Sequence, residues 1–128
     1  MNRMLIIEDN DLNFELAADL LEAKGFSVSR ACTAEDGLRL ARVNAPDLVL
    51  MDFSLPGMDG LHATRVLKSD PMTCHLPVIA LTAHAMKGDE EIARNAGCDG
   101  YLPKPIDTRT LIATITRFLP AGEALHTH

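Results

Sequence analysis

The sequence predicts an α/β fold, a (βα)5 arrangement in which a parallel sheet is covered by helices on both faces. Three observations predict it. Apolar runs of strand length occur without polar alternation, as in strands buried on both sides; amphipathic segments of helical period lie between them; and the two kinds alternate five times along the chain. At 128 residues the chain is one domain, able to bury a core without disulfides or a structural metal. Hydrophobic residues make up 47% but aromatics only 4%, so Leu, Ile, Val, Ala and Met must fill that core.

Met4 to Ile7 is the first interior strand. Leu12, Leu16 and Leu20, with Ala17 and Leu21, form the stripe of the first helix, which stops at Gly25. Phe26 to Ala31 alternates Phe, Val and Arg with serine and reads as an edge strand. Thr33 with Asp36 offers an N-terminal cap for a helix carrying Ala34, Leu38, Ala41 and Ala45. Leu48 to Met51 is the second interior strand; Leu61, Thr64 and Leu67 serve the third helix, and Leu76 to Leu81 holds the third interior strand. The fourth helix, about 87 to 96, offers the core only Ile92, Ala93 and Ala96, an anchorage weak enough to permit movement. Gly100 to Lys104 is short and contains Pro103, which suits a second edge strand. Asp107 caps the last helix, whose apolar face is Leu111, Ile112, Ile115, Phe118 and Leu119, with Pro120 after its end. With strands 2 and 5 at the edges the order is 2-1-3-4-5, the flavodoxin-like doubly wound sheet. The domain is expected to span 1–120, leaving 121–128 as a short C-terminal tail, too little for an output domain.

Eighteen acidic residues against twelve basic give a net charge of −6, which disfavours direct binding to nucleic acid. Cys32, Cys74 and Cys98 are odd in number and widely spaced; they read as small buried apolar residues in a reducing compartment, with no disulfide framework or zinc knuckle. No apolar run is long enough for a signal peptide or a membrane span, so a soluble cytoplasmic protein is expected.

The polar exceptions all fall at strand ends. Glu8 and Asp9 follow strand 1, Asp52 ends strand 3, Thr82 ends strand 4 and Lys104 ends strand 5. In a parallel sheet these ends share one edge, and the reversal between strands 1 and 3 opens a crevice there. Unless one of them protonates, three converging carboxylates need a positive partner. Lys104 supplies one, and a hard divalent cation, Mg²⁺ with Mn²⁺ as a substitute, suits an oxygen-only donor set. Carboxylates, metal, ammonium and hydroxyl at one point suit a phosphoryl group, with a carboxylate as nucleophile.

The stretches IIEDND, LVLMDFSLPGMDG, LTAHA and YLPKP resemble, in order and over nearly the whole chain, the signatures of the response-regulator receiver domain. The combination EDNDLN, AMKGDEE and KPI is similar to stand-alone receivers of the DivK type. The resemblance implies a bacterial two-component or phosphorelay protein and not an enzyme, beyond its own phosphorylation and dephosphorylation. Asp52 would accept a phosphoryl group from a phosphohistidine on a histidine kinase or histidine phosphotransfer protein. Asp9 and Asp52, with the backbone carbonyl of Ser54, would bind Mg²⁺, and Glu8 would hold a metal-bound water. Lys104, on a bond to Pro105 that is typically cis in the family, would pair with a phosphoryl oxygen. Thr82 would turn its hydroxyl inward and Tyr101 would fill the space it leaves. The output would be a protein–protein contact through helix 4, strand 5 and helix 5, made by a monomer or weak dimer.

Other readings of single residues stay open. Asp9 and Asp11 could cap a helix, Thr82 a turn, and Tyr101 could be a structural filler. His84 and Ser54 sit at positions that tune phosphoryl lifetime in the family, or are plain loop residues. Among whole-protein alternatives, an aspartyl phosphatase would need a second acid at Ser54. A flavin carrier would need a loop after strand 1 that does not repel phosphate, and EDND does repel it. The complete acceptor set argues against a phosphorylation-independent pseudo-receiver, whereas a receiver belonging to a hybrid histidine kinase would carry the same residues.

Overall fold

A strand buried on both faces sends alternate side chains into two different cores, and β1 (Arg3–Ile7) does so in a computed structural model of the chain, which describes residues 3–53, 60–82, 89–104 and 106–118. Met4 and Ile6 enter one cluster, with Ala17, Leu21, Leu111 and Ile115; Leu5 and Ile7 enter the other, with Ala34, Ala41, Ala63, Leu67 and Ala93. β3 (Leu48–Asp52) and β4 (Val78–Thr82) are buried along their whole length in the same way. β2 (Ser27–Ala31) and β5 (Gly100–Pro103) are partly exposed, as edge strands are. All neighbours pair in parallel and the sheet order is β2-β1-β3-β4-β5, the predicted flavodoxin-like order.

The helices divide between the faces: α1 (Asp11–Ala23) and α5 (Thr108–Phe118) cover one, α2 (Ala34–Asn44), α3 (Gly60–Ser69) and α4 (Asp89–Ala96) the other. Among the described residues no helix is long and apolar enough to cross a membrane. Predicted punctuation recurs in detail. Gly25 takes a φ of +93°, its N–H reaches the Glu22 carbonyl, and Phe26 N–H reaches Leu21; this is a Schellman stop sealed by the apolar pair Phe26 and Leu21. The Thr33 hydroxyl accepts from Asp36 N–H at 3.1 Å, and the Asp107 carboxylate accepts from Arg109 N–H at 3.1 Å.

Several expectations change. The buried stripe of α1 is Ala17, Ala18 and Leu21 with Phe14 beside them, while Leu12 is 75% exposed and Leu16 43%. The reason is helical phase: positions 14, 17, 18 and 21 share one side, whereas Leu12 starts on the far side and steps of four bring the row round only by Leu20, which packs half-buried against the core. The cap of α1 is Asn10, which accepts from Asn13 N–H, so neither Asp9 nor Asp11 has that duty. Ala45 is exposed with a φ of +47° at the C-cap of α2 and belongs to no helical stripe. Ile92 is half exposed, leaving Ala93 and Ala96 as the buried contacts of α4 among its described side chains. Cys32 and Cys74 are exposed; only Cys98 is the small buried residue expected. Leu119, Pro120 and the tail at 121–128 lie outside the described residues.

Candidate functional site

Period-two alternation places the site. Continuing Met4 and Ile6, Glu8 points to the α1/α5 side; continuing Leu48 and Leu50, Asp52 does too; and Lys104, two beyond Leu102, follows. Lys104 starts two strands away from β3, about 10 Å across the ladder, and its long side chain spans that gap. Its backbone is fixed by Lys104 N–H donating to the Thr82 carbonyl at 2.7 Å. Its Nζ then lies 3.1 Å from Asp52 Oδ1 and 3.0 Å from Glu8 Oε1.

Both carboxylates are almost wholly buried, at 1% exposure each. The Glu8 carboxyl is pushed up to about 7, by burial first and by the neighbouring Asp52 carboxyl next, with Lys104 offsetting them only in part. Burial alone would lower the Lys104 pKa, but Glu8 and Asp52 outweigh it and the ammonium is held above its ordinary value. Asp9, exposed, completes a set of three carboxylates whose ligand oxygens lie within 4.8 Å of one another. Glu8 Oε2 accepts from Asn10 N–H at 3.2 Å, whereas the buried Oε1 is met by Lys104 off the line a hydrogen bond needs and has no other donor among the described residues. An oxygen-only set with one under-satisfied buried oxygen and one face open to water fits a hard cation such as Mg²⁺.

Thr82 is buried at the end of β4, on the opposite side of the sheet from Asp52 and Lys104: it continues Val78 and Ala80, toward α3 and α4. Tyr101 is half-buried against that same cluster, opposite Ala80 in the ladder. The two residues of the predicted switch therefore share one face, and the charged residues share the other. Ser54, His84 and Pro105 lie outside the described residues.

Two further residues bear on the site and were not read from the sequence. Gly60 opens α3 directly beneath Asp52: a Cβ there would stand 2.8 Å from the Asp52 carbonyl oxygen and 2.9 Å from Phe53 Cα, so only glycine allows the approach. Arg30 reaches from β2 to the loop that carries Glu8 and Asp9, donating from Nε to the Glu8 carbonyl at 3.1 Å. Its signal was a charge at the third inward position of an otherwise apolar alternation, Phe26, Val28, Arg30.

Known proteins resemble this chain over most of its length. Residues 4–116 match the model of the response regulator receiver domain. The polar-differentiation response regulator DivK of Brucella ovis is 48% identical over 116 residues, covering 91% of this chain and 94% of that protein, and DivK of Brucella melitensis matches equally. Among solved structures, the receiver domain of the sensor histidine kinase PA1611 of Pseudomonas aeruginosa PAO1, with a magnesium ion coordinated in its active site cleft, superposes with a TM-score of 0.85 at 33% identity. That match covers 91% of this chain and 96% of the other. A CheY-like receiver protein of Methanospirillum hungatei JF-1 gives a TM-score of 0.83 at 28% identity, over 91% of this chain and 92% of its own.

Proposed function

The chain belongs to the response regulator receiver family and is DivK-like, and from that premise we propose that Asp52 accepts a phosphoryl group from a phosphohistidine donor. An Asp52 carboxylate oxygen attacks phosphorus in line with the departing imidazole nitrogen; the O–P bond forms as the N–P bond breaks, and the imidazole leaves with the bonding pair and takes a proton from water. Lys104 Nζ, already 3.1 Å from Asp52 Oδ1, moves its charge onto a phosphoryl oxygen as the carboxylate becomes a neutral acyl group. Thr82 supplies its hydroxyl from the end of the adjacent strand. Asp9 and Asp52, with the Ser54 carbonyl and with Glu8 beside them, would hold Mg²⁺ (or Mn²⁺), which when bound neutralises the phosphoryl oxygens.

The phosphoryl group adds roughly −1.5 to −2 charges and new acceptors, which favour the arrangement that brings Thr82 and Lys104 close. Movement of Thr82 frees space on the α4 side of the sheet, where Tyr101 packs and α4 is held by two alanines. The output is then a change in protein binding at α4, β5 and α5.

The observation that carries this reading is the buried Asp52 paired with Lys104, within a set of three converging carboxylates. Intact mass after incubation with acetyl phosphate tests it. A gain of one phosphoryl group that requires Mg²⁺ and vanishes in Asp52→Asn is expected; phosphorylation of Asp52→Asn at the wild-type rate sinks the assignment.

A further inference from the structure

We propose that Arg30 is the positioning residue of the metal-binding loop between β1 and α1, an inference that rests on the Mg²⁺ reading above. Glu8 lies just past the end of β1, where the strand ladder runs out, yet its backbone is held on both sides by β2. Its N–H donates to the Ala31 carbonyl at 3.0 Å, and its carbonyl accepts from Arg30 Nε at 3.1 Å. The same guanidinium forms an ion pair with Asp11, Nη2 lying 2.8 Å from Oδ1 but off the line a hydrogen bond needs, and packs 4.7 Å above the ring of Phe14. One side chain thus ties down the residue before Asp9, the first residue of α1, and a residue one turn further along.

Asp9 needs that help. It is exposed, and a solvated carboxylate on a free loop would lose its conformational freedom each time it took up a cation. With Glu8 and Asp11 held to one fork, and Asn10 N–H closed onto Glu8 Oε2 at 3.2 Å, the backbone on either side of Asp9 is set before the ion arrives. Lysine could not do the same, because a single ammonium lacks the planar fork that reaches a carbonyl and a carboxylate together while stacking on an aromatic ring.

Charge and position predict opposite results, which makes the role decidable. A guanidinium near three carboxylates repels an incoming cation, so if Arg30 acted only as a charge, its removal would tighten Mg²⁺ binding. If it acts by holding the loop, removal weakens binding even when the charge is kept.

The experiment is calorimetric titration of the whole chain with Mg²⁺, without phosphodonor, on wild type, Arg30→Met, Arg30→Lys and Asp52→Asn, alongside amide hydrogen exchange at Asn10 in the metal-free proteins. Both Arg30 variants are expected to bind Mg²⁺ about tenfold more weakly, the order of loss seen when partners behind metal ligands are removed. Both should also lose protection at the Asn10 amide. Wild-type affinity in Arg30→Lys, or tighter binding in Arg30→Met, overturns the proposal while leaving the site intact. Failure of wild type itself to bind Mg²⁺, or binding undiminished in Asp52→Asn, overturns the site reading and the proposal with it. Should Arg30→Met not fold, the lysine variant alone decides, since it keeps the charge and most of the stem.

Discussion

Glu8 is the residue on which burial and charge conflict most. Its carboxyl sits at about 7 in the folded chain against 4.5 for an ordinary glutamate, burial being the larger cause. The folded state therefore binds this proton more tightly than the unfolded one. Its contribution to stability is complete below about pH 4.5 and is lost as pH rises through about 7. In metal-free protein, the melting temperature of wild type relative to Glu8→Gln should fall between pH 5 and pH 8. Saturating Mg²⁺ should reverse that loss at the alkaline end, because the metal takes the place of the proton. A pH-independent difference between the two proteins would show that Glu8 does not change protonation there. At this scale Asp52, Glu8 and Lys104 were legible, since each is a charge at the end of an apolar run whose alternation fixes its direction. The role of Arg30 was not: its inward charge stands out in the alternation of β2, but its partners are a backbone carbonyl 22 positions away and a helix residue, and neither leaves a mark in local sequence.

Elements hold the site as firmly as its own side chains do. α3 begins so close to β3 that Gly60 has no room for a methyl group: beyond the Phe53 ring edge, which could turn aside, stand the Asp52 carbonyl oxygen and Phe53 Cα, backbone atoms that cannot rotate away. Gly60→Ala should destabilise the fold by ~1–3 kcal/mol, the usual cost of overpacking. It should also slow phosphorylation of Asp52 although every charged side chain remains. Chemical denaturation and the mass assay check the two effects separately; a stable variant phosphorylated at the wild-type rate would show that α3 can shift without moving Asp52. The helix stops were readable because Gly25 and Asp107 have local mechanisms. The α1 stripe was legible at Ala17 and Leu21 but not at Leu12 and Leu16, because leucines lie all round the helix and the phase set by Phe14, Ala17, Ala18 and Leu21 turns those two outward.

For the whole molecule, the two cores share one sheet, and the strand order followed from which runs were apolar on both sides. Net charge and the crowded carboxylates act on the entire fold. A cation that binds only the native state raises stability by ~2.7 kcal/mol at a hundred times its dissociation constant. Mg²⁺ should therefore raise the melting temperature of wild type. Asp52→Asn should melt higher than wild type without metal, since one of two adjacent buried acids becomes neutral, and should gain less from Mg²⁺. Equal Mg²⁺ shifts in the two proteins would mean that the ion binds elsewhere.

The division of the sheet into a charged face and the face of Thr82 and Tyr101 has a consequence for how such a molecule can change. Glu8, Asp52 and Lys104 stand on the side of α1 and α5, whereas Thr82 and Tyr101 stand with α3 and α4. The acceptor charges and the proposed switch pair thus occupy opposite banks of the same five-stranded divide, and the proposed output surface draws α4 from one bank and α5 from the other. Substitutions that repack α4 over Thr82 and Tyr101 can accumulate without disturbing the charges on the other bank, and the reverse.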